Sequence, residues 1–154
     1  MKLDELYQQI ILDAARERYG EGPLEDAQGE SHQVNPTCGD EVTMRVKLSE
    51  DGKRIEDIAW EGHGCSISQA SISIMTEMAE GVRIDEFAEL YERFHNMMDS
   101  RGQEIPEEDL DALEDASAFQ GVSKFPMRIK CALLGWMAVR DATDQALAAA
   151  TAKE

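Results

Sequence analysis

The sequence predicts an α+β fold, in which a small antiparallel sheet of about three strands packs against several helices and a long C-terminal helix occupies the core. Apolar and polar residues alternate from Val42 to Leu48, as on a strand with one buried face. The segment Cys131–Val139 is instead apolar on most faces of a helix. The 154 residues, 42% of them apolar, suffice for one core, so we expect a single domain over residues 1–154.

The chain is expected to begin with an amphipathic helix. Its apolar stripe recurs at intervals of three and four residues and consists of Leu3, Leu6, Tyr7, Ile10, Ile11 and Ala14. The helix should end near Gly20, because Gly20–Pro23 is a helix-breaking segment. A polar loop then leads to Gly29, and Ser31–Asn35 is a possible short strand.

A β-hairpin follows this first helical region. Val42–Leu48 is the first strand, and Asp51-Gly52 is a typical hairpin turn. Lys53–Trp60 is the returning strand, although the irregular spacing of its apolar residues predicts a β-bulge. The next segment, Gly62–Cys65, is predicted to be a turn.

Helices are expected over most of the remaining chain. Ser66–Gln69 has the Ser-x-x-Gln form of a capping box, which predicts a helix from there to about Glu80. A second helix should run from about Ile84 to Met98, and Pro106–Phe119 is an acidic helical or loop segment. The last helix should begin at Pro126, a residue that suits the first helical position, and end near Ala149.

The charge of the chain excludes some classes of partner. A formal net charge of -17 disfavours binding to nucleic acid or to an anionic membrane. The acidity can serve solubility alone, or it can also help to select a basic partner. No stretch is long and apolar enough to span a bilayer, and Met1–Glu5 does not resemble a signal peptide, so we expect a cytosolic protein.

The three cysteines are the candidate chemical groups. In a reducing compartment, three thiols indicate buried side chains, a metal site or reactive sulfur rather than a disulfide framework. Cys38 and Asp40 are separated by Gly39, which allows both side chains to turn toward one point. An ordinary turn is the alternative interpretation of this triplet.

The other two cysteines lie at or within predicted helices. Cys65 precedes a helix N-terminus, where free amides favour a thiolate, although it can also be a small buried side chain at a turn. Cys131 has Arg128 and Lys130 as cationic neighbours on its own helix, but a cysteine in an apolar helix is often plain core.

Three segments that contain these cysteines resemble the signatures of SufU-type proteins, which are relatives of the IscU scaffolds. The segments are Asn35–Asp40, Gly62–Ser68 and Ser123–Cys131, and a weaker similarity extends over the first helix and Gly22–Glu25. The resemblance implies that one zinc ion is held by Cys38, Asp40, Cys65 and Cys131. Zinc chemistry agrees with this ligand set, because zinc accepts thiolates together with a carboxylate in a tetrahedral shell.

Several details make the chain more similar to SufU than to IscU. Lys130 stands where IscU-type scaffolds carry a histidine, and the acidic stretch between Gly102 and Gln120 resembles the SufU insertion. The Leu-Pro-Pro-Val-Lys chaperone motif of the scaffolds is absent. The chain departs from these relatives at Ala14–Tyr19, which puts any contact made by the first helix in doubt.

The histidines are secondary candidates. His63 competes for a ligand place because it lies two residues before Cys65. His32 and His95 are expected to be surface or partly buried side chains.

The resemblance implies a zinc-dependent sulfurtransferase that accepts persulfide sulfur from a SufS-type, pyridoxal-phosphate-dependent cysteine desulfurase for iron–sulfur cluster assembly. Cys38 is then the candidate acceptor, and downstream cluster-assembly proteins are the expected recipients. Arg128 is either a docking residue for the desulfurase or a counter-charge for the thiolates. One alternative is a scaffold that assembles an iron–sulfur cluster on the same residues, so iron is a second, less favoured candidate cofactor. The other alternative is an interaction module whose fold zinc merely stabilises.

Overall fold

The computed structural model describes residues 3–152 and confirms the α+β class. It contains five α-helices, one 3₁₀ segment and three strands. In chain order these are α1 Leu3–Glu17, β1 Gly29–Asn35, β2 Asp40–Leu48, β3 Ile55–His63, α2 Ser66–Ala79, α3 Ile84–Asp99, α4 Glu107–Leu113, the 3₁₀ segment Glu114–Lys124 and α5 Pro126–Ala152. The possible strand at Ser31–Asn35 is thus real and begins two residues earlier than predicted.

The three strands form one antiparallel sheet in the order β1-β2-β3. The predicted bulge is confirmed, because Lys47 pairs with Asp57 whereas Leu48 pairs with Ile55. The boundaries predicted for β3 were wrong: it begins at Ile55 and continues to His63, where it pairs with Glu41. The segment predicted as a turn therefore begins inside the strand.

The sheet has one buried face, as the alternating sequence of β2 predicts. The buried side chains of this strand are Asp40, Val42, Met44, Val46 and Leu48. The long helix α5 packs on β1 and β2, and α2 packs between α5 and α1. The predicted central position of the C-terminal helix is thus confirmed.

Aromatic side chains connect α3 to α5 and to the 3₁₀ segment. The ring of Trp136 stacks on Phe94 at 4.4 Å between centroids and on Phe87 at 6.0 Å. Phe119, from the 3₁₀ segment, meets Phe94 edge to face. The acidic segment after Pro106 is helical, and its buried apolar residues include Leu113, Ala116 and Phe119.

The predicted capping box at the start of α2 was wrong. The N-cap residue is Cys65, whose sulfur accepts a hydrogen bond from the amide of Ser68. Gln69 does not reach back to the helix start, because its side-chain oxygen accepts a hydrogen bond from Arg18 instead. A sulfur atom therefore occupies the capping position that a hydroxyl group was predicted to fill.

Among residues 3–152, no helix combines the length and apolar character needed to cross a bilayer.

The close packing of α5 against β1 leaves no room for a side chain at Gly29. A Cβ atom at this position would lie 1.8 Å from the carbonyl oxygen of Ala142. We predict that Gly29→Ala lowers the free energy of unfolding by about 1–3 kcal/mol, because helix and strand backbones must separate. Urea denaturation measures this change. Gly121→Ala is the control, since a Cβ there has nothing within 4 Å, and equal stability losses in both variants would contradict the packing argument.

Candidate metal centre

The loop between β1 and β2 brings Cys38 and Asp40 to one point. The loop begins as a turn in which the Cys38 amide donates to the carbonyl oxygen of Asn35 at 3.2 Å. Gly39 has φ +70°, a left-handed conformation that glycine adopts without steric cost, and open space surrounds it. The left-handed backbone at Gly39 is the conformation that was predicted to let the Cys38 and Asp40 side chains turn toward one point. Asp40 opens β2 with its side chain fully buried, whereas Cys38 is partly exposed.

Asp40 also connects this loop to Cys65. The Cys65 amide donates to Asp40 Oδ1 at 2.8 Å, and Cys65 Sγ lies 3.9 Å from Asp40 Oδ2. Gly64 makes this approach possible, because a Cβ there would lie 2.3 Å from Asp40 Oδ1. The carboxylate of Asp40 thus occupies a space that a larger residue at position 64 would fill.

Cys131 completes the cluster from the second turn of α5. Its side chain is buried, and its sulfur lies 2.9 Å from the sulfur of Cys38. The side-chain amide of Asn35 lies 3.8 Å from the Cys131 sulfur. All three cysteines are free thiols.

The donor atoms of Cys38, Asp40 and Cys131 all lie within 4.8 Å of one another, so these residues form a group that could hold a metal ion. A tetrahedral zinc ion lies about 2.0–2.3 Å from each of its ligands, so it needs donor atoms gathered within a few ångströms of one another, as these are. Cys65 joins it through its contacts with Asp40. The structure therefore places three of the predicted ligands in one group and Cys65 beside Asp40, and the role of all four in binding metal stays a prediction.

The electrostatics of the cluster fit a bound cation. Burial raises the pKa of the Cys131 thiol, and its hydrogen bonds with Cys38 and Asp40 and the charge of Cys65 raise it further. Each additional negative charge is unfavourable in so small a buried space. A divalent cation among the same atoms would reverse this effect and favour the thiolate, so the donor set and its burial suit zinc.

His63 lies outside the cysteine cluster. Its side chain is 74% exposed, and its Nε2 lies 3.8 Å from Glu41 on the open face of the sheet. His32 also contacts Glu41, whereas His95 pairs with Asp99 on α3.

Cationic and apolar side chains surround the exposed start of α5. Lys124, Arg128 and Lys130 are all exposed, and Arg128 stacks on the ring of Phe125 at 4.8 Å. Phe125 and Met127 expose 50% and 61% of their surfaces. Among residues 3–152, Arg128 forms no ion pair with a carboxylate, so its charge is available to a partner.

Sequence reasoning missed Arg18, which supports the turn that carries Cys65. Its guanidinium donates to the carbonyl oxygen of Gly62 at 2.9 Å and to Gln69, and it stacks on the ring of Trp60 at 4.8 Å. It also pairs with Glu21. Arg18 therefore joins the end of β3 to the first turn of α2. The one sequence signal at this position is the departure from SufU-type sequences at Ala14–Tyr19, the segment that contains Arg18.

Comparison with known proteins places this fold and this cluster of residues in a family. Residues 6–132 match the family described as the NifU-like N terminal domain. The chain belongs to this family. The family is that of iron–sulfur cluster assembly proteins of the SufU and IscU type, and the predicted resemblance is therefore confirmed.

Individual members of the NifU-like family carry two different functional names. The chain is 44% identical over 137 residues to the zinc-dependent sulfurtransferase SufU of Bacillus subtilis, covering 89% of this chain and 88% of that protein. It is 41% identical over 142 residues to the iron–sulfur cluster assembly scaffold protein IscU of Streptococcus pyogenes, covering 92% and 84%. The two names leave sulfur transfer and scaffolding as separate possibilities.

The fold of the family is also found in a solved structure. The crystal structure of the N-terminal part of a nitrogen-fixing NifU-like protein from Brucella abortus is similar to this chain with a TM-score of 0.80. The match covers 94% of this chain and 96% of that chain at 26% sequence identity.

The contacts of Arg18 predict a local effect on the turn that carries Cys65. We expect Arg18→Ala to lower the free energy of unfolding by about 1–2 kcal/mol, because the Gly62 carbonyl and Gln69 lose their charged donor. Hydrogen exchange of the Cys65 and Ser68 amides should accelerate in the variant.

Arg16→Ala is the matched control, since Arg16 is exposed and lies in the last turn of α1. If amide exchange at Cys65 is the same in both variants, Arg18 does not support this turn.

Proposed function

We propose that this protein is a zinc-dependent sulfur acceptor, which takes persulfide sulfur from a cysteine desulfurase for iron–sulfur cluster assembly. The observation that carries the proposal is the buried carboxylate of Asp40, which forms one group with the thiols of the partly exposed Cys38 and the buried Cys131 and lies 3.9 Å from the Cys65 sulfur. Purely structural zinc sites mostly use only cysteine and histidine. An oxygen donor in this set indicates a site in which one ligand can exchange.

In this proposal, Cys38, Asp40, Cys65 and Cys131 hold one zinc ion. The ion supplies positive charge that keeps the thiols deprotonated. The 44% identity to the zinc-dependent sulfurtransferase of Bacillus subtilis supports zinc as the metal.

Cys38 is the best placed of the three thiols to accept sulfur. It lies on a loop and is partly exposed, so it can approach a partner without displacement of a helix. Cys131 is buried within α5, and Cys65 caps α2. Movement of either of these residues would disturb helix packing.

The transfer step needs no oxidant or reductant. The Cys38 thiolate attacks the outer sulfur of the desulfurase cysteine persulfide and forms a new sulfur–sulfur bond. The sulfur–sulfur bond of the donor breaks, its electron pair leaves with the desulfurase cysteine as a thiolate, and the transferred sulfur keeps its proton. Cys38 then carries the persulfide, and downstream cluster-assembly proteins are its proposed recipients.

The surface next to the cluster suits a protein partner. A groove of about 640 Å³ runs between α1 and the start of α5, and its lining includes Tyr7, Ile67, Phe125 and Arg128. Apolar surface with an arginine beside it is typical of the core of a protein interface. We propose a SufS-type, pyridoxal-phosphate-dependent desulfurase as the partner. The three free thiols favour the cytosol as the compartment in which this occurs.

A scaffold that assembles an iron–sulfur cluster on the same residues is the second candidate function. The scaffold name of the Streptococcus pyogenes relative favours it, and thiolates also bind iron. Lys130 argues against the scaffold function, because it is exposed and occupies the position of a histidine in IscU-type scaffolds.

The two functions are separated by desulfurase turnover and metal content, measured on one sample prepared without oxygen. We expect one zinc ion per chain, no visible chromophore and faster turnover of the desulfurase. Cys38→Ser should abolish the acceleration, because serine cannot accept sulfur from a persulfide. Sulfur acceptance at the parental rate in a zinc-loaded Cys38→Ser protein would refute Cys38 as the acceptor, and a stable chromophore with iron would favour the scaffold.

Arg128 is predicted to act in docking rather than as a counter-charge for the thiolates. Arg128→Ala should raise the concentration of this protein that half-saturates desulfurase activation by roughly tenfold, because a paired contact between guanidinium and carboxylate is lost. The zinc content should stay at the parental level.

Arg140→Ala is the matched control for this measurement. Arg140 lies on the same helix and stacks on the ring of Tyr91, also at 4.8 Å, but it is remote in sequence from Cys131. Parental kinetics in the Arg128 variant, or loss of zinc from it, would contradict the docking role.

A further inference from the structure

The sulfur atoms of Cys38 and Cys131 are in direct contact. They lie 2.9 Å apart, although the two residues are 93 positions apart along the chain. Both thiols also face the carbonyl oxygen of Met127, which lies 3.9 Å from Cys38 Sγ and 3.6 Å from Cys131 Sγ. A disulfide bond is about 2.05 Å long, so these two sulfur atoms need to approach by less than about 1 Å to form one.

The loop that carries Cys38 can supply this approach. Cys38 lies between β1 and β2 and precedes Gly39, which has φ +70° and open space beside it. The loop therefore has room to shift. Cys131 needs little movement, because it lies in the second turn of α5 with its sulfur already against that of Cys38.

Cys65 is placed differently from the other two thiols. Its sulfur lies 3.9 Å from Asp40 Oδ2 and accepts a hydrogen bond from the Ser68 amide at 3.5 Å, as the N-cap residue of α2. The close group of donor atoms within residues 3–152 consists of Cys38, Asp40 and Cys131. A disulfide to Cys65 would cost the cap of α2, so Cys38 and Cys131 are the favoured pair.

The two paired thiols differ in their access to solvent. Cys38 is partly exposed, whereas Cys131 is 2% exposed. The oxidation of a cysteine depends on its exposure, and redox-sensing cysteines often lie beside a second cysteine that resolves the oxidised form. Hydrogen peroxide therefore reaches Cys38 first, with Cys131 in place to react with the product.

We propose that Cys38 and Cys131 form an intramolecular disulfide when the protein meets hydrogen peroxide. The Cys38 sulfur bonds to one peroxide oxygen, the oxygen–oxygen bond breaks, and Cys38 becomes a sulfenic acid as one water molecule leaves with the thiol proton. The Cys131 sulfur then bonds to the Cys38 sulfur, and the sulfenic hydroxyl leaves with the Cys131 proton as a second water molecule. Two thiols are thus oxidised by two electrons, and the peroxide is reduced to water.

The disulfide is a reversible switch on sulfur transfer, a consequence that rests on the function proposed above. It blocks Cys38 as the acceptor and removes two of the four proposed zinc ligands, so the ion is released. It also protects Cys38 from sulfinic and sulfonic acids, which thiols do not reduce. A dithiol reverses the disulfide through a mixed disulfide. Cytosolic disulfides are usually of this transient kind.

Peptide mapping of the full chain by mass spectrometry tests the proposal. The zinc content of the purified protein is measured, the protein is treated with increasing amounts of hydrogen peroxide, and the remaining thiols are alkylated. The parent should give a Cys38–Cys131 disulfide with Cys65 still alkylated, and its zinc should pass to a chromophoric chelator in the same step. Dithiothreitol should restore all three thiols.

Two cysteine variants sharpen the test. Cys131→Ser removes the resolving thiol, so it should lose the intramolecular disulfide and accumulate sulfinic acid on Cys38 that dithiothreitol does not reverse. Cys65→Ser is the matched control, because it also removes one thiol near Asp40, and it should form the Cys38–Cys131 disulfide as the parent does. If Cys131→Ser fails to fold, the peptide map of the parent still decides which thiols pair.

Several results would overturn the proposal. They are a parent disulfide that involves Cys65, disulfides that form only between chains, sulfinic acid on Cys38 without a disulfide, or thiols that stay reduced. Because the disulfide is read from peptides, it is independent of the desulfurase assay. A reduced parent that fails to accelerate the desulfurase, yet forms the Cys38–Cys131 disulfide, would refute the proposed function alone.

Discussion

The organisation of the centre depends on the buried carboxylate of Asp40. Asp40 is fully buried at the first position of β2, where its Oδ1 accepts the Cys65 amide at 2.8 Å. A buried carboxylate is costly unless donors or a cation compensate its charge. The requirement to satisfy Asp40 therefore draws the β1–β2 loop, the end of β3 and the start of α2 together, and it places Cys65 beside the group formed by Cys38, Asp40 and Cys131.

This constraint links metal binding to the packing of the domain. Cys131 comes from α5, the helix that covers the sheet, whereas Cys38 and Cys65 come from the turns at one end of that sheet. Burial and negative neighbours raise the pKa of the Cys131 thiol, so the cluster gains from any cation that it can enclose. Because the ligands come from distant parts of the chain, part of the free energy of metal binding stabilises the tertiary structure.

Sequence patterns predicted the parts of the fold that depend on local periodicity. The strand Val42–Leu48, the bulge in the returning strand and the start of α5 at Pro126 follow from alternation, apolar spacing and the proline position. The predicted capping box at Ser66 was wrong because other residues occupy the same positions. Arg18 donates a hydrogen bond to the side chain of Gln69, and Cys65 rather than Ser66 is the N-cap residue of α2. Local spacing could not predict the contacts of Arg18 with Gln69 and Gly62, because these residues lie 51 and 44 positions away along the chain. The single domain over residues 1–154 stays a prediction.

Zinc K-edge X-ray absorption of the purified protein tests the central claim most directly. The account predicts about three sulfur neighbours at about 2.3 Å and one oxygen neighbour at about 2.0–2.2 Å for the tightly bound ion. Asp40→Ala should replace the protein oxygen by water and weaken zinc retention, while the three sulfur neighbours remain. A spectrum with the multiple scattering of imidazole, or a zinc affinity unchanged by Asp40→Ala, would contradict the proposed ligand set.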